Sequence, residues 1–530
     1  YKIKSMKLFL LISFSLLFLS KGLQEVKSFD ESTYFTTWAT AVYQTESPKI
    51  ELTNNSIRQI VHISASGDNL RLRLSNKVGK TKLEIKEATI ADSLTQGTGE
   101  ILTNTLTALT FNGGKTSIVI PPGEELYSDT ISYSLKALSE VAISIHFGET
   151  PENLTGHPGS KTYSFIEEGN QVFEKTFSSE NKIAHWYIIS AIEVSSNPRK
   201  KTIVCFGDSI TDGTGSTNDK QNRWPDLLST KLHLNKETSD IAVVNKGIGG
   251  NRITTQGLER FSYDVLQVKG VSHIIVLYGV NDINHLNATS AEIISAYKNI
   301  ISQAHKNNIF IYAGTILPYG KHGSWTDKRE KNRQEANAWI RNTKKEDGGF
   351  DGFFDFDELI RDPENPHAMY SAYDCGDGLH PSPEGYQQLV QAIDNLEIFN
   401  QVPDSDDQNI EEIDLSFQKG VKFELGFTLE KGETISVNIK GTSEGSYGFR
   451  VLTANEEGTK TSDYYYTGKI EKCEFQITNL KIEVQEDSNY IIIRRPISTI
   501  NINNIILKYL EVVTEDKSKV FEMKEGSLLK

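Results

Sequence analysis

The chain has 530 residues, with 56 Lys and Arg against 70 Asp and Glu, so its formal net charge at neutral pH is −14. A chain of this length is enough for about three domains. The negative charge argues against a nucleic-acid partner, because such a partner requires a basic surface. Hydrophobic residues make up 37% of the chain and charged residues 24%, which is typical of an ordinary globular protein.

The first stretch has the features of an export signal. Lys7 follows Met6, and an apolar run of about a dozen residues then ends near Lys21, which is signal-peptide size and too short for a comfortable membrane span. We therefore predict a signal peptide over residues 1–25, a secreted or periplasmic protein, and no stable membrane insertion after cleavage. An uncleaved anchoring helix stays open as the alternative, because the small-residue cleavage site is poorly formed.

Residues 30–196 show the pattern of an all-β domain. Leu70–Leu74 alternates apolar and polar residues, Val141–Phe147 is a second clear strand, and His185–Ser190 is the last. Short strands at even spacing with Gly and Pro turns predict a β-sandwich. The histidines in or beside these strands are expected to be packed or surface residues rather than ligands: His62, His146 and His185.

Residues 200–398 change to an alternation of strands and helices. The predicted strands are Ile203–Phe206, Ile241–Asn245, His273–Tyr278, Ile309–Ala313 and Gly352–Phe356. The predicted helices are Ala291–Lys306, Arg329–Thr343 and Pro383–Leu396, with Ser382 as the cap of the last one. This alternation predicts a parallel sheet covered by helices, hence an α/β domain.

The rest of the chain returns to a β pattern. An acidic linker, Gln401–Glu412, precedes a predicted second β-sandwich over residues 410–512. The aromatic cluster Tyr464–Tyr466 could stack on sugars, which would make this domain carbohydrate-binding, but edge-strand tyrosines serve the same structural purpose. Both interpretations stay open, and the structural one is favoured.

The three cysteines are far apart in sequence and show no metal-ligand spacing: Cys205, Cys375 and Cys473. We expect buried thiols, no metal and no cofactor.

The central domain contains four stretches that together suggest nucleophilic catalysis. A serine, Ser209, follows the glycine that ends the first strand, and ligands of open α/β sheets bind at the carboxyl ends of strands. His380 lies three residues after Asp377, so the carboxylate can orient the imidazole that takes the serine proton. The N–H groups of Ser209 and Gly250 and the side-chain amide of Asn281 could form a three-donor oxyanion hole.

These blocks, Gly-Asp-Ser209, Gly250, Gly-x-Asn281-Asp and Asp377-x-x-His380, resemble the four blocks of the SGNH (GDSL) hydrolase family. The resemblance covers about residues 200–398, and the preceding β domain is similar to one found in secreted bacterial carbohydrate esterases. It implies a flavodoxin-like three-layer α/β/α core without a metal. It also implies Ser209 as the nucleophile, His380 as the base, Asp377 as its orienting partner, and Ser209, Gly250 and Asn281 as the oxyanion hole.

The function that follows is a secreted serine esterase acting on an acylated polysaccharide or a small ester, with removal of acetyl groups from plant polysaccharide as the leading hypothesis. One alternative is a lipid or aryl esterase, or a lysophospholipase, of the same family. The other is a catalytically inactive carbohydrate-binding protein. The intact catalytic residues argue against the inactive alternative.

A loop of the central domain is a candidate for substrate binding. Pro318–Asp327 follows a predicted strand, so it lies on the same rim of the sheet as Ser209. Trp325 in this loop is predicted to stack on a sugar ring. Packing of Trp325 under the loop is an equally weighted alternative, since tryptophan is usually largely buried.

Overall fold

The computed structural model describes residues 33–45, 50–196 and 200–401 in full, and it describes strands as backbone elements between 413 and 523. The predicted signal peptide, residues 1–25, and residues 402–412 of the predicted linker lie outside the described residues. Contacts divide the chain into two compact units, with the division between Pro403 and Asp404. Each unit is described by itself.

The N-terminal region of the first unit is all-β, as predicted. Its strands are β1 Tyr34–Ala39, β2 Tyr43–Thr45, β3 Ser56–His62, β4 Gly67–Ser75, β5 Leu83–Asp92, β6 Gly99–Glu100, β7 Thr107–Leu109, β8 Ile118–Ile120, β9 Glu125–Tyr127, β10 Ile131–Leu135, β11 Glu140–Phe147, β12 Leu154–His157, β13 Ser164–Glu167, β14 Thr176–Phe177, β15 Lys182–Ile183, β16 Trp186–Tyr187 and β17 Ile189–Ser195. The two largest sheets have the orders β1-β17-β4-β10 and β15-β13-β3-β11-β5-β7.

These two sheets share a hydrophobic core because their strands alternate. The inward residues of β4 and β17, such as Leu72 and Ile192, pack in one buried cluster with Ile143 of β11. The strand predicted over His185–Ser190 is interrupted in the structure. Ile188 has a φ of +68°, which separates β16 from β17. A residue in the left-handed backbone conformation cannot continue a β-strand, and the apolar pattern of the sequence gave no sign of this interruption.

The central region is built on a parallel sheet. Its strands are β18 Thr202–Gly207, β19 Ala242–Gly247, β20 Val271–Leu277, β21 Phe310–Gly314 and β22 Gly352–Phe354, in the order β19-β18-β20-β21-β22. Every residue of β18 is buried, as expected for an interior strand of a parallel sheet. Gly207 at its carboxyl end lies in register with Gly247 of β19 and with Leu277 of β20. The segments that follow these three strands therefore start side by side.

Helices connect these strands. They span Ser209–Asp212, Trp224–Leu234, Leu258–Phe261, Val280–Leu286, Ser290–Lys306, Asp327–Asn342, Phe356–Ile360 and Pro383–Gln391. The predicted helix over residues 291–306 is confirmed within one residue. The helix predicted to end at Leu396 is shorter, since it ends at Gln391 and a 3₁₀ turn follows over Leu396–Asn400. Ser382 caps it as predicted by accepting a hydrogen bond from the Gly385 N–H.

The all-β region covers the β19 edge of the parallel sheet. The Val243 N–H on that edge donates to Ser64 Oγ at 3.1 Å, and Lys246 Nζ donates to the Thr40 carbonyl at 2.7 Å. Open sheet edges carry unpaired N–H and C=O groups that proteins must cover. The two regions therefore form one compact unit.

The second unit contains β23 Ile413–Asp414, β24 Gly420–Leu429, β25 Thr434–Ser443, β26 Phe449–Ala454, β27 Lys460–Tyr466, β28 Cys473–Glu483, β29 Ser488–Arg494, β30 Ile505–Thr514 and β31 Val520–Met523. They form two antiparallel sheets, with the orders β23-β30-β25-β28 and β24-β29-β26-β27. Tyr464–Tyr466 belong to β27, and the sandwich arrangement of these sheets stays a prediction. The flavodoxin-like layering of the central region also stays a prediction.

Within the part of the chain that the structure describes, no helix has the length and apolar character needed to cross a bilayer.

The buried centre of the parallel sheet provides a test of what stabilises the first unit. Ile275 in β20 is fully buried. Ile275→Ala should lower the free energy of unfolding by about 2–5 kcal/mol, because it removes buried methyl groups and leaves a cavity. Val119→Ala, in the middle of β8 and 48% exposed, is the control and should cost under about 1 kcal/mol. Urea unfolding measures both, and equal losses would contradict the placement of the core.

Candidate active site

The serine predicted as nucleophile lies where β18 turns sharply into a short helix. A Cβ atom on Gly207 would lie 2.0 Å from Thr211 Oγ1 and 2.6 Å from the Leu277 carbonyl oxygen, so only glycine fits this turn. Asp208 then caps the helix by accepting a hydrogen bond from the Ile210 N–H at 3.0 Å. The result places Ser209 at the first helical position, with 8% of its surface exposed.

The structure brings Ser209 and the predicted Asp–His pair together. Ser209 Oγ lies 2.8 Å from His380 Nε2, and His380 Nδ1 lies 2.6 Å from Asp377 Oδ2. Ser209 and His380 are 171 positions apart in sequence, so tertiary folding and not local sequence brings them into contact. Since Nδ1 can only donate to a carboxylate, the neutral ring keeps a lone pair on Nε2 that faces the serine hydroxyl.

Asp377 is held in this orientation by its own loop. Its other oxygen, Oδ1, accepts hydrogen bonds from the Leu379 N–H and the His380 N–H, each at 2.8 Å. Partial burial alone would raise the pKa of Asp377. The hydrogen bonds from the His380 ring and from the two backbone N–H groups outweigh it and lower this pKa to about 2. Asp377 is therefore ionised at neutral pH and accepts three hydrogen bonds.

The two other predicted oxyanion donors lie on neighbouring segments. Gly250 follows β19 in a glycine-rich turn and has a φ of +73°, a conformation that favours glycine. Asn281 follows β20, is 4% exposed, and donates through Nδ2 to the Asn251 carbonyl at 3.1 Å. One N–H of that amide remains for another acceptor. The N–H groups of Ser209 and Gly250 have no hydrogen-bond partner among the described residues.

A residue that the sequence analysis did not single out fixes the segment after Gly250. Asp282 accepts hydrogen bonds from the Ile253 N–H at 3.0 Å, from the Thr254 N–H at 2.9 Å, and from Thr254 Oγ1 at 2.7 Å. It is the residue directly after Asn281, so the Asn-Asp dipeptide was the available signal. A buried carboxylate that accepts several N–H groups is a common way to rigidify a loop.

Arg260 was also missed. Its Nη2 donates to the Gly207 carbonyl at 2.9 Å, and its Nη1 forms an ion pair with Asp264 at 2.9 Å. It therefore ties the end of β18 to the segment that follows the glycine-rich turn. No sequence motif marks it, because an arginine in a helix is usually a surface residue.

The proposed sugar-stacking residue, Trp325, is half-buried and packs partly against the central core. Its Nε1 donates to Glu330 Oε2 at 3.4 Å, and its ring centroid lies 6.0 Å from that of His367. The loop that carries it touches the predicted catalytic loop, which contains Asp377 and His380, since a Cβ on Gly378 would lie 2.6 Å from the His322 nitrogen. The geometry is compatible with both interpretations of Trp325.

One group of potential metal ligands occurs among the described residues. Ligand atoms of Asp374, Cys375 and Asp377 lie within 4.8 Å of one another. Both carboxylates already accept backbone N–H hydrogen bonds, so the group gives no reason to assign a metal. Cys375 is exposed, which corrects the expectation of a buried thiol there, whereas Cys205 is buried as expected.

A serine, a histidine and a carboxylate in hydrogen-bond contact at the carboxyl edge of a parallel sheet define an α/β protein with the arrangement of a serine hydrolase. Residues 205–388 match the model of the GDSL-like lipase/acylhydrolase family. The match lies within the central region, which is therefore similar to that family.

Solved structures of GDSL proteins resemble the central region. A putative lipolytic protein from Desulfitobacterium hafniense is 24% identical, with 37% of this chain and 98% of that chain covered and a TM-score of 0.30. A GDSL-like lipase from Bacteroides thetaiotaomicron is 22% identical, with 38% and 89% covered and a TM-score of 0.30. A variant of an acetyl-xylooligosaccharide esterase from Geobacillus is 19% identical, with 36% and 92% covered and a TM-score of 0.29.

The likeness of the central region to the GDSL-like family is carried by the family model. A comparison with curated proteins finds no match.

The electrostatics of Asp208, next to the serine, predict a pH-dependent stability. Complete burial, reinforced by the nearby carboxylates of Asp282 and Asp212, raises the pKa of Asp208 to about 7. Its Oδ2 has no hydrogen-bond partner among the described residues. Between the reference pKa of about 3.9 and pH 7, the folded state keeps a proton that the unfolded state has released. This group therefore lowers stability as the pH rises through that window.

Asp208→Asn removes the ionisation, so its melting temperature relative to wild type should rise between pH 5 and pH 8. Thermal unfolding monitored by circular dichroism measures the difference. Asp347→Asn, at an exposed turn, is the control. A difference between Asp208→Asn and wild type that does not change with pH would show that Asp208 is ionised throughout.

Proposed function

We propose that this chain is a secreted serine esterase that removes acyl groups, acetyl groups in particular, from plant polysaccharide. The observation that carries the proposal is the continuous contact Ser209–His380–Asp377, at 2.8 Å and 2.6 Å. In this proposal Ser209 is the nucleophile, His380 the general base, and Asp377 the group that orients the imidazole.

The mechanism follows from these contacts. His380 Nε2 takes the proton from Ser209 Oγ as the oxygen attacks the acyl carbon, and the negative charge develops on the former carbonyl oxygen. The N–H groups of Ser209 and Gly250 and the remaining N–H of Asn281 stabilise that charge. His380 then gives its proton to the departing alcohol, and a water molecule hydrolyses the acyl-serine by the same route in reverse.

Support for a polysaccharide comes from the predicted export signal and from the aromatic residues near the catalytic loop. Tyr370 is 42% exposed and packs edge-on against Tyr373, which directly precedes the catalytic loop. The same segment touches the Trp325 loop, since the Gly320 N–H donates to the His367 carbonyl at 2.6 Å. Aromatic rings with an exposed face suit the apolar faces of sugar rings.

A panel of substrates separates the candidates. Acetylated xylan, acetylated pectin and medium-chain lipid esters should be compared at equal enzyme concentration, with release of acetate or fatty acid as the measurement. The proposal expects the highest kcat/KM on an acetylated polysaccharide. Preference for the lipid esters would replace it with the lipid esterase alternative. Detection of the protein in the culture medium, rather than with the cells, tests the proposed secretion.

Ser209→Ala tests the nucleophile. The variant should fold like wild type and lose turnover of 4-nitrophenyl acetate by several orders of magnitude, because an enzyme without a triad member retains only about 10³–10⁴-fold catalysis over water. Ser239→Ala is the matched control, because Ser239 precedes β19 and so lies at the amino ends of the parallel strands, whereas Ser209 lies at their carboxyl ends. Near-normal turnover by the Ser209 variant would remove this residue from the mechanism.

Trp325→Ala tests the substrate-binding loop. If the indole stacks on sugar, the variant should raise KM for acetylated xylan several-fold and leave 4-nitrophenyl acetate hydrolysis nearly unchanged, since only the polymer reaches the loop. Trp339→Ala is a matched control, because Trp339 is also half-buried against the core but lies near the end of the helix Asp327–Asn342. Equal losses on both substrates, or an equal drop in melting temperature for both variants, would make Trp325 structural.

A further inference from the structure

The all-β region places a buried histidine against the segment that carries the serine. His157, the last residue of β12, is 2% exposed, and its Nε2 lies 2.8 Å from Asp212 Oδ1. Asp212 ends the short helix that begins at Ser209, and it is 5% exposed. A buried pair between two regions of the chain is costly to desolvate and requires good hydrogen-bond geometry to be retained.

The hydrogen bonds of His157 determine how it meets Asp212. Its Nδ1 lies 2.7 Å from the Ala41 carbonyl oxygen, which can only accept, so Nδ1 carries a proton. Nε2 then meets the Asp212 carboxyl group either as an N–H donor or as an acceptor of its proton. In both cases a proton lies between the two side chains, so the contact is a charge-assisted or strongly polarised hydrogen bond.

The ring of His157 has little freedom to leave this position. It stacks on Trp186, with ring centroids 6.0 Å apart, and it meets Tyr43 edge-on at 5.9 Å. Both aromatic residues belong to the all-β region. Packing therefore holds the imidazole in one orientation, with Nε2 towards Asp212.

Asp212 also contacts the glycine-rich turn that contains Gly250, one of the predicted oxyanion donors. Its second oxygen, Oδ2, accepts a hydrogen bond from the Gly249 N–H at 3.2 Å, and Gly249 directly precedes Gly250. The approach is close, since a Cβ on Gly247 would lie 2.2 Å from the Asp212 nitrogen. A displacement of the Asp212 carboxylate would therefore move the peptide that directly precedes the one carrying the Gly250 N–H.

The all-β region encloses the carboxylate from a second side. A Cβ on Gly159 would lie 2.2 Å from Asp212 Oδ2 and 2.3 Å from Oδ1. Backbone this close to a buried carboxylate leaves no room for a side chain or for another position of Asp212. His157 and Gly159 thus limit Asp212 to the position in which it can accept from Gly249.

We propose that His157 is a positioning residue for the oxyanion hole and that the all-β region thereby completes the active site. It acts through Asp212 and Gly249 on the N–H of Gly250, and it does not touch the reacting atoms. The inference rests on the proposed ester hydrolysis at Ser209. The competing explanation is that the pair only fastens the two regions together and contributes to stability alone.

Two amide substitutions separate these explanations because each keeps one of the two ring-nitrogen contacts of His157. In His157→Gln, the side-chain amide can replace the Nε2 donor to Asp212. In His157→Asn, the amide can replace the Nδ1 donor to Ala41, and Asp212 Oδ1 loses its contact with the histidine. Both variants lose the aromatic packing of the ring, so both should lower the melting temperature by a similar amount.

The full chain should be assayed with 4-nitrophenyl acetate. His157→Asn should lower kcat by about 10- to 100-fold with KM within about twofold of wild type, because a misplaced donor affects mainly the transition state. His157→Gln should stay within about threefold of wild type, since it keeps the donor to Asp212. His146→Asn, whose ring bonds to the Asn55 carbonyl at 3.2 Å within the all-β region, is the matched control and should leave kcat unchanged.

Equal kcat values for the Asn and Gln variants would overturn the proposal, as would a loss that appears only in the melting temperature. If His157→Asn does not fold, Gly159→Ala provides the second measurement, because its Cβ would displace the Asp212 carboxylate. The proposal expects that variant also to lower kcat at unchanged KM, and wild-type kcat would overturn it.

Ser209→Ala assayed in parallel tests the ester hydrolysis itself. Hydrolysis that does not depend on Ser209 would defeat the proposed function, whereas Ser209-dependent hydrolysis with unchanged kcat in His157→Asn would defeat only this inference.

Discussion

The geometry of the site depends on how closely the chain packs at the end of β18. Gly207 lies so near Thr211 and the Leu277 carbonyl that any side chain would displace one of them. This contact lets the chain reverse within two residues and start a helix at Ser209, at the carboxyl edge where β19 and β20 also end. The parallel register of Gly207 with Gly247 and Leu277 then places the three following segments together.

A second constraint comes from covering the sheet edge. Burying Lys246 on β19 lowers the pKa of its ammonium group, and the group is retained through the Thr40 carbonyl and Asp264. An unpaired buried ammonium would be very costly, so this strand needs the all-β region and the segment after the glycine-rich turn at once. The all-β region also contacts Asp212, through His157. Fold stability and site geometry are therefore linked through the same interface.

The sequence predicted the parts of this arrangement that have local signals. The buried strand before Ser209, the spacing of Asp377 and His380, and the serine cap before Pro383 all follow from residue type and spacing. The positions of Arg260 and His157 could not be predicted in this way, and the Asn-Asp dipeptide marks Asp282 without indicating its partners. Each acts through a contact between segments distant in sequence, and an isolated arginine or histidine has no pattern that names its partner.

Two element boundaries differ from the predictions, one in the strand at Ile188 and one at the end of the last helix, and each has a physical cause. Ile188 interrupts a stretch with good strand propensity because it adopts a left-handed conformation, which tertiary packing imposes and propensity does not record. The last helix ends at Gln391 although its apolar pattern continues, since a 3₁₀ turn carries Leu396 and Phe399 into the core. In both places the apolar residues are buried, and the predicted backbone path was wrong.

The exposure of the Asp377 side chain limits what this carboxylate can contribute to the chemistry. It is 44% exposed, whereas the His380 side chain is 13% exposed, so water screens the attraction between the carboxylate and a protonated imidazole. A screened charge stabilises the imidazolium less than a buried one would. The three hydrogen bonds that Asp377 accepts are less affected by screening, because they fix direction as well as energy. In the proposed mechanism, Asp377 therefore contributes chiefly by orienting the ring, so that the Nε2 lone pair stays directed at Ser209.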